Sequence, residues 1–182
     1  MGNNSLTNTY FIMLKKILIG LGIVLIIIQF IRPDKNDSND LTYDISTKYM
    51  IPNDVNHLLQ VSCNDCHSNK TEYPWYANVQ PIAWWIDHHI DDGKKHLNFA
   101  EFTKIPLFVQ NHKFEEIIEM VEDKEMPLPS YTNFGLHSEA NLSDEERKMI
   151  MDWAKAQMDY LKNNYPADSL VFPKRVVTPP KS

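Results

Sequence analysis

The feature that most limits what this chain can fold into is the pentapeptide Cys-Asn-Asp-Cys-His at residues 63–67. Two cysteines separated by two residues and followed at once by histidine are typical of c-type haem attachment, in which the thiols bond to the haem and the imidazole ligates its iron. By itself the string also fits a disulfide-forming Cys-x-x-Cys or half of a zinc site. A haem protein would further need an export route, a second axial ligand and an apolar pocket.

The cysteine count narrows these alternatives. Cys63 and Cys66 are the only two cysteines, so a tetracysteine zinc site is excluded. A Cys2His2 site would need a distant histidine, because His67 is too close to fit zinc-finger spacing. A disulfide between Cys63 and Cys66 would close a very small loop and would stabilise the fold little. The thiols therefore have few competing uses.

An apolar segment near the amino terminus supplies the export route. Residues 11–32 are apolar apart from Lys15, Lys16, Gln29 and Arg32. As a helix, residues 11–31 would span about 31 Å, enough for the roughly 30 Å hydrocarbon core if the lysines snorkel. A cleaved signal peptide would look much the same, but no small-x-small cleavage site follows, which favours an uncleaved transmembrane anchor. The lysine pair favours a cytoplasmic amino terminus, with the globular domain in the periplasm at the inner membrane.

The rest of the chain has room for one compact domain. We predict a short tail at residues 1–10, the anchor at 11–32, and a polar linker with nothing to bury at 33–49. A single haem-binding domain at 50–164 precedes a disordered, proline-rich tail at 165–182.

Helical patterns dominate the predicted domain, and strand alternation is almost absent. We predict helices from Pro52 into Cys63, over 81–92 with a stop at Gly93, over 107–125, and from the Ser143 capping box onward. The fold class is therefore mainly α, a cytochrome c-like helical domain behind a transmembrane helix.

Met126 is the predicted sixth ligand of a haem iron. It lies between helical segments in a short loop that contains Pro127 and Pro129, where a stiff backbone would hold the thioether in place. His137, just before the last helix, is the alternative to Met126. Met126 and His67 would then be the two axial metal ligands.

Two other clusters of residues follow the motif in the sequence. Trp75, Trp84 and Trp85 lie within about twenty residues of His67, a density that fits a flat apolar cofactor as well as an ordinary core. A histidine-rich set could share a divalent metal ion, although a solvated helix end explains it better; it comprises His88, His89, Asp92 and His96.

Charge limits the partners. Residues 1–32 hold three of the 18 basic residues and none of the 24 acids, which leaves 15 basic and 24 acidic residues and a formal charge of −9 beyond the anchor. Such a domain should repel nucleic acids, and we expect redox partner proteins instead.

Several blocks in order resemble the bacterial haem-binding domain family of small, exported, single-haem c-type proteins. They are residues 63–76, 81–85, 97–102, 125–131, His137, and the stretch from Leu142 to Trp153. The resemblance covers roughly residues 50–160, with Tyr73 and Phe102 standing where relatives are expected to have tryptophan. It implies one haem c bound covalently to Cys63 and Cys66, with His67 as ligand.

The sequence thus predicts a membrane-anchored monohaem c-type protein that transfers electrons outside the inner membrane, a carrier rather than an enzyme. A peroxidase-like enzyme or a gas or redox sensor is the first alternative, and it would need a displaceable sixth ligand. A thiol-disulfide oxidoreductase is the second. Such enzymes carry Cys-x-x-Cys at a strand-to-helix junction, and no strand is predicted before Cys63.

Overall fold

The amino-terminal apolar segment forms one long helix, α1, which spans Asn3–Ile28. The computed structural model of the protein describes residues 3–132 and 137–173. Within α1, the segment Asn8–Ile28 contains an 18-residue window with a mean hydropathy of 2.6 and is long and apolar enough to cross a membrane, judged by length and composition. An apolar helix therefore precedes the domain, as predicted.

Six further helices follow in the described part of the chain: α2 (Asn53–Ser62), α3 (Asn64–His67), α4 (Ile82–His96), α5 (Leu107–Glu122), α6 (Pro129–Thr132) and α7 (Asp144–Asn164). Short 3-10 helices lie between and after them, at Ile45–Thr47, Trp75–Asn78, Phe99–Lys104, Ser138–Ala140 and Ala167–Leu170. Residues 3–132 and 137–173 contain no β-strand, only an isolated bridge between Asp37 and Lys70. The mainly α class is confirmed.

Helix α7 begins at the capping box that the sequence predicts. The Ser143 hydroxyl accepts from the Glu146 amide at 3.2 Å, and the Glu146 carboxylate accepts from the Ser143 amide at 2.8 Å. These bonds satisfy amide groups that have no partner within the helix. The predicted inner face is buried at Ile150, Trp153, Ala154 and Leu161.

The core lies where α5 packs against α7, with Phe114 at its centre. Phe114 is fully buried, and its ring centroid lies 4.9 Å from Tyr49, 5.0 Å from Phe102 and 5.7 Å from Trp153. Burying an aromatic side chain of this size contributes about 1.5–3 kcal/mol. This cluster supports α2, the helix that leads into the cysteine motif.

Two helix ends differ from the prediction. Helix α4 continues past Gly93 to His96, because a glycine in a packed helix lowers its stability without ending it. Helix α5 ends at Glu122, three residues earlier than predicted, and Lys124 has a left-handed φ of 60°. The chain therefore turns before it reaches Pro127.

The segment at 33–49 is packed, so the prediction that it has nothing to bury is wrong. Ile45 and Tyr49 are only 3% and 2% exposed. The Tyr49 hydroxyl donates to the side-chain oxygen of Gln110 on α5 at 2.5 Å. Asn36 donates to the Ser68 carbonyl at 2.9 Å. Two apolar side chains in a polar stretch are enough to fasten it to the core.

The tail is also partly structured. Leu170 is 7% exposed, and the ring of Phe172 lies 5.0 Å from that of Phe108 on α5. The prediction of a tail without structure is therefore wrong as far as residue 173, because apolar residues sit among its prolines. Residues 174–182 lie outside the described residues.

Candidate functional site

The cysteine motif lies at a junction between two helices. Cys63 ends α2 and also precedes α3, whose four residues are Asn64–His67. The amides of Cys66 and His67 both donate to the Cys63 carbonyl, at 3.2 and 2.9 Å. Helix α2 buries Val55 and Leu59 and so holds the motif against the core. The predicted helix into Cys63 is confirmed.

His67 is oriented by two backbone carbonyls of the α4 region. Its Nδ1 lies 3.1 Å from the Gly93 carbonyl and 3.0 Å from the Leu97 carbonyl. Carbonyl oxygens only accept, so the neutral ring carries its proton on Nδ1 and keeps the Nε2 lone pair. Burial lowers the pKa of His67, against the smaller opposing effect of the two carbonyl bonds. A neutral imidazole held through Nδ1 is the usual arrangement of a histidine ligand.

Gly93 lets α4 approach the motif closely. A Cβ atom at this position would lie 2.6 Å from the Cys66 carbonyl oxygen and 3.0 Å from the Cys66 Cβ. Any larger residue would push α3 and α4 apart. Gly93 therefore serves the contact with Cys66, whereas the sequence suggested only a helix stop.

The two cysteines are half-buried, and their thiols are protonated at neutral pH. Burial raises the pKa of Cys63 to about 12 and that of Cys66 to about 11. The thiols are not joined to each other. Oxidoreductases of the Cys-x-x-Cys type lower the pKa of a thiol to make a reactive thiolate, and they place it at a strand-to-helix junction. The raised pKa values and the helix-to-helix junction both disfavour that alternative.

A cavity opens beside Cys66, between the motif, α4 and the segment after Pro127. Eight of its fourteen lining residues are apolar or aromatic, and six are polar. The lining residues are Asp65, Cys66, Thr71, Glu72, Pro74, Tyr76, Trp85, Ile86, His89, Ile90, Leu128, Ser130, Tyr131 and His137. Apolar walls with a few convergent polar groups are typical of cofactor sites.

The motif residue Asp65 anchors one wall of this cavity. The Tyr131 hydroxyl donates to its carboxylate at 2.7 Å, and the Glu72 amide donates to the other carboxylate oxygen at 2.8 Å. Burial, reinforced by the bond to Asp65, raises the pKa of Tyr131. The pairing of Asp65 with Tyr131 could not be predicted, because nothing in the sequence links two residues so far apart.

The two predicted candidates for a sixth ligand lie in different surroundings. His137 lines the cavity, its Nε2 is 2.9 Å from the Tyr76 hydroxyl, and its ring stacks on Tyr131 at 4.3 Å. Met126 is half-buried and does not line the cavity, although Leu128 does. Its carbonyl accepts from Arg147 at 2.7 Å. The structure thus brings His137, but not Met126, to the cavity that Cys66 lines.

In the fold, only some members of the tryptophan cluster and of the histidine-rich set lie near the cavity. Trp85 lines the cavity, whereas Trp75 and Trp84 do not and are 80% and 37% exposed. His89 also lines it, and its Nδ1 lies 2.8 Å from the Trp85 carbonyl. Among residues 3–132 and 137–173, no group of three His, Cys, Asp or Glu side chains could hold a metal ion.

The residues of the motif fit a covalently bound haem. Two thiols lie on one turn of backbone, a histidine keeps one nitrogen free, and the backbone approaches closely at Gly93.

Comparison with known protein families gives a match. The family model described as "Haem-binding domain" matches residues 23–156, well over half of the chain. Neither the curated proteins nor the solved structures gave a match.

Proposed function

Since the chain belongs to the haem-binding domain family, we propose that it is a membrane-anchored monohaem c-type protein that transfers electrons outside the inner membrane. Cys63 and Cys66 form the thioether links in this proposal, and His67 is the proximal ligand. The observation that carries it is the pair of bonds from His67 Nδ1 to the Gly93 and Leu97 carbonyls. They leave Nε2 as the only nitrogen able to bind iron.

Bound haem would supply a one-electron iron couple. The chain's own residues do the rest: α2 and the core fix the cysteines, and the two carbonyls keep the imidazole from turning. Trp85, Ile86 and Ile90 offer apolar surface beside Cys66. A site held so firmly changes little when charge changes, which suits an electron carrier.

The sixth position belongs to the segment between Met126 and His137, with Met126 as the proposed ligand and His137 as its alternative. The carbonyl of Met126 is tied to Arg147, and that bond holds the backbone from which the thioether extends, although Met126 does not line the cavity beside Cys66. The position of His137 in the cavity supports the alternative. Residues 133–136 lie outside the described residues.

Helix α1 supports a proposal for the position of the domain relative to the membrane. Asn8–Ile28 could cross a bilayer, and the lysine pair favours a cytoplasmic amino terminus. We therefore place the domain in the periplasm. Its formal charge of −9 suits redox partner proteins with basic surfaces and disfavours nucleic acid.

One preparation tests the cofactor. The full chain, produced with haem-maturation machinery, should show c-type absorption and keep its haem after denaturation. The double variant Cys63→Ser/Cys66→Ser should lose the haem on denaturation, because no thioether can form. Colourless wild-type protein with both thiols free would refute the proposal.

A peroxidase-like or gas-sensing function is the second candidate, and one observation favours it. The cavity beside Cys66 is lined by His137, Tyr76 and Tyr131, polar groups that could meet a small ligand. Carbon monoxide binding to the reduced protein separates the two functions. An electron carrier with Met126 ligation should bind it slowly, and Met126→Ala should bind it readily. Fast binding by the wild type, unchanged in Met126→Ala, would favour the second candidate.

Substitution of each candidate ligand identifies the one that binds. Loss of the sulfur-to-iron absorption band in Met126→Ala, with the band retained in His137→Ala, would assign Met126. Met151→Ala is the matched control, because this half-buried methionine packs against the core and does not line the cavity.

A further inference from the structure

Several exposed apolar side chains lie just before α4 and around its first turn. We call this group the tryptophan face, and it consists of Trp75, Val79, Ile82 and Trp84, which are 80%, 41%, 41% and 37% exposed. Ile82 and Trp84 are two residues apart and point to different sides of the helix, so the group lies around the amino-terminal end of α4 and not along one side of it. None of these side chains lines the cavity beside Cys66, so a haem there would not cover them. Two large exposed tryptophans on one short stretch indicate a contact surface.

The tryptophan face is fastened directly to the end of α1. The Gln80 amide donates to the side-chain oxygen of Gln29 at 2.9 Å, and the Gln29 side-chain nitrogen donates to the Gln80 carbonyl at 3.1 Å. The Gln80 side chain donates to the Ile31 carbonyl at 2.8 Å. At the same junction Phe30 and Ile31 are 84% and 57% exposed. The tryptophan face therefore lies next to the carboxyl-terminal end of the candidate membrane span, Ile28.

Distance limits how far this face can lie from the bilayer. Trp84 lies close to Gln80, because the Trp84 amide donates to the side-chain oxygen of Gln80 at 3.3 Å. The headgroup region extends roughly 5–8 Å beyond the hydrocarbon core on each side. With Gln29 at the end of the span, Trp84 cannot lie far outside the headgroup layer, whichever way α4 points.

Tryptophan is the side chain best suited to that layer, because its ring is apolar and its N–H still finds a polar partner. We propose that the tryptophan face inserts into the headgroup layer of the bilayer that α1 crosses, so that the domain is seated on the membrane. This inference rests on the membrane anchoring of the proposed function.

Photo-cross-linking to lipid tests the proposal. The full-length holoprotein is placed, one chain per nanodisc, in phosphatidylcholine that contains a phospholipid with a diazirine near its headgroup. After illumination, mass spectrometry locates the lipid adducts. We expect adducts within residues 75–84 in addition to those in α1. The triple variant Trp75→Ser/Ile82→Ser/Trp84→Ser should reduce the 75–84 adducts about fivefold and leave those in α1 unchanged.

The matched control removes exposed apolar side chains elsewhere. Leu41, Met50 and Met149 are 62%, 83% and 38% exposed, and their triple serine variant should leave the adducts at 75–84 unchanged. Haem absorption of each sample reports that the domain is folded and loaded. Should either variant fail to fold, the adduct map of the wild type still decides.

Adducts in α1 with none at 75–84 would overturn this inference alone, whether the face is in water or against another protein. An absence of adducts in α1 would overturn the anchoring and this inference together. Missing haem absorption would count against the cofactor assignment. The absorption spectrum tests that assignment independently of the lipid adducts.

Discussion

At the scale of single residues, Gly93 both positions α4 against the motif and orients His67. Gly93 gives α4 its close approach to Cys66, and its carbonyl is one of the two that orient His67. Gly93→Ala should lower the free energy of unfolding by about 1–3 kcal/mol, because the new methyl group meets backbone atoms that cannot move aside. Urea denaturation of the holoprotein measures this loss.

The haem spectrum provides a second measurement for this variant, because α4 would shift away and lengthen the bonds to His67. Gly20→Ala is the control, since a Cβ at Gly20 meets nothing within 4 Å. Equal stabilities and spectra for Gly93→Ala and wild type would contradict this account.

Tyr131 fastens the segment after Pro127 to the motif through Asp65. Tyr131→Phe removes the donor and leaves one carboxylate oxygen without it, at a cost of about 1–3 kcal/mol. Hydrogen exchange should rise around residues 128–132. Tyr43→Phe is the control, because Tyr43 is exposed and makes no such bond in the described part of the chain. Unchanged exchange in Tyr131→Phe would refute the role of this bond.

At the scale of helices, the capping box sets where α7 begins. Ser143→Ala should destabilise the protein by about 1 kcal/mol, because the Glu146 amide loses its acceptor. Thermal or urea unfolding measures it. Glu145→Ala, in the same turn, takes no part in the capping box and should have a smaller effect. An equal loss in both variants would count against the cap.

The capping box of α7 also makes the stability of the protein depend on pH. Hydrogen bonds from Ser143 lower the pKa of Glu146 below its usual 4.5. A lowered folded-state pKa contributes stability above pH 4.5, and that contribution is lost as the pH falls through the folded-state value. The stability difference between wild type and Glu146→Gln should therefore shrink on acidification from about pH 7 to about pH 3. A difference that does not depend on pH would contradict this.

At the scale of the whole molecule, the domain is larger than its sequence pattern suggests. Ile45, Tyr49 and Leu170 are core residues outside the predicted limits of 50–164. A fragment of residues 50–164 should be less stable than one of 33–173 by several kcal/mol, because each lost side chain contributes about 1.5–3 kcal/mol. Unfolding midpoints of the two fragments, compared as holoproteins, test this. Equal unfolding midpoints for the two fragments would show that the domain is limited to residues 50–164.

These elements also show what a sequence can and cannot predict. The Ser143 cap and the helix into Cys63 are local patterns, so both could be predicted. The bonds from His67 to Gly93 and Leu97, and the bond between Asp65 and Tyr131, join residues distant in the chain and depend on the fold. Trp75 and Trp84 looked like cofactor surface because they are near the motif in sequence, yet they face outward.

The hydrogen bonds of Gln29 and Asn36 have a further consequence for how the proposed carrier would find its partners. A cytochrome domain tethered by a long flexible linker can move between an electron donor and an electron acceptor. If α1 anchors the chain as proposed, the lack of slack between α1 and the domain gives the carrier a fixed reach, and membrane-bound partners would have to come to it by lateral diffusion. The search then takes place in two dimensions, and its rate would depend on the fluidity of the lipid.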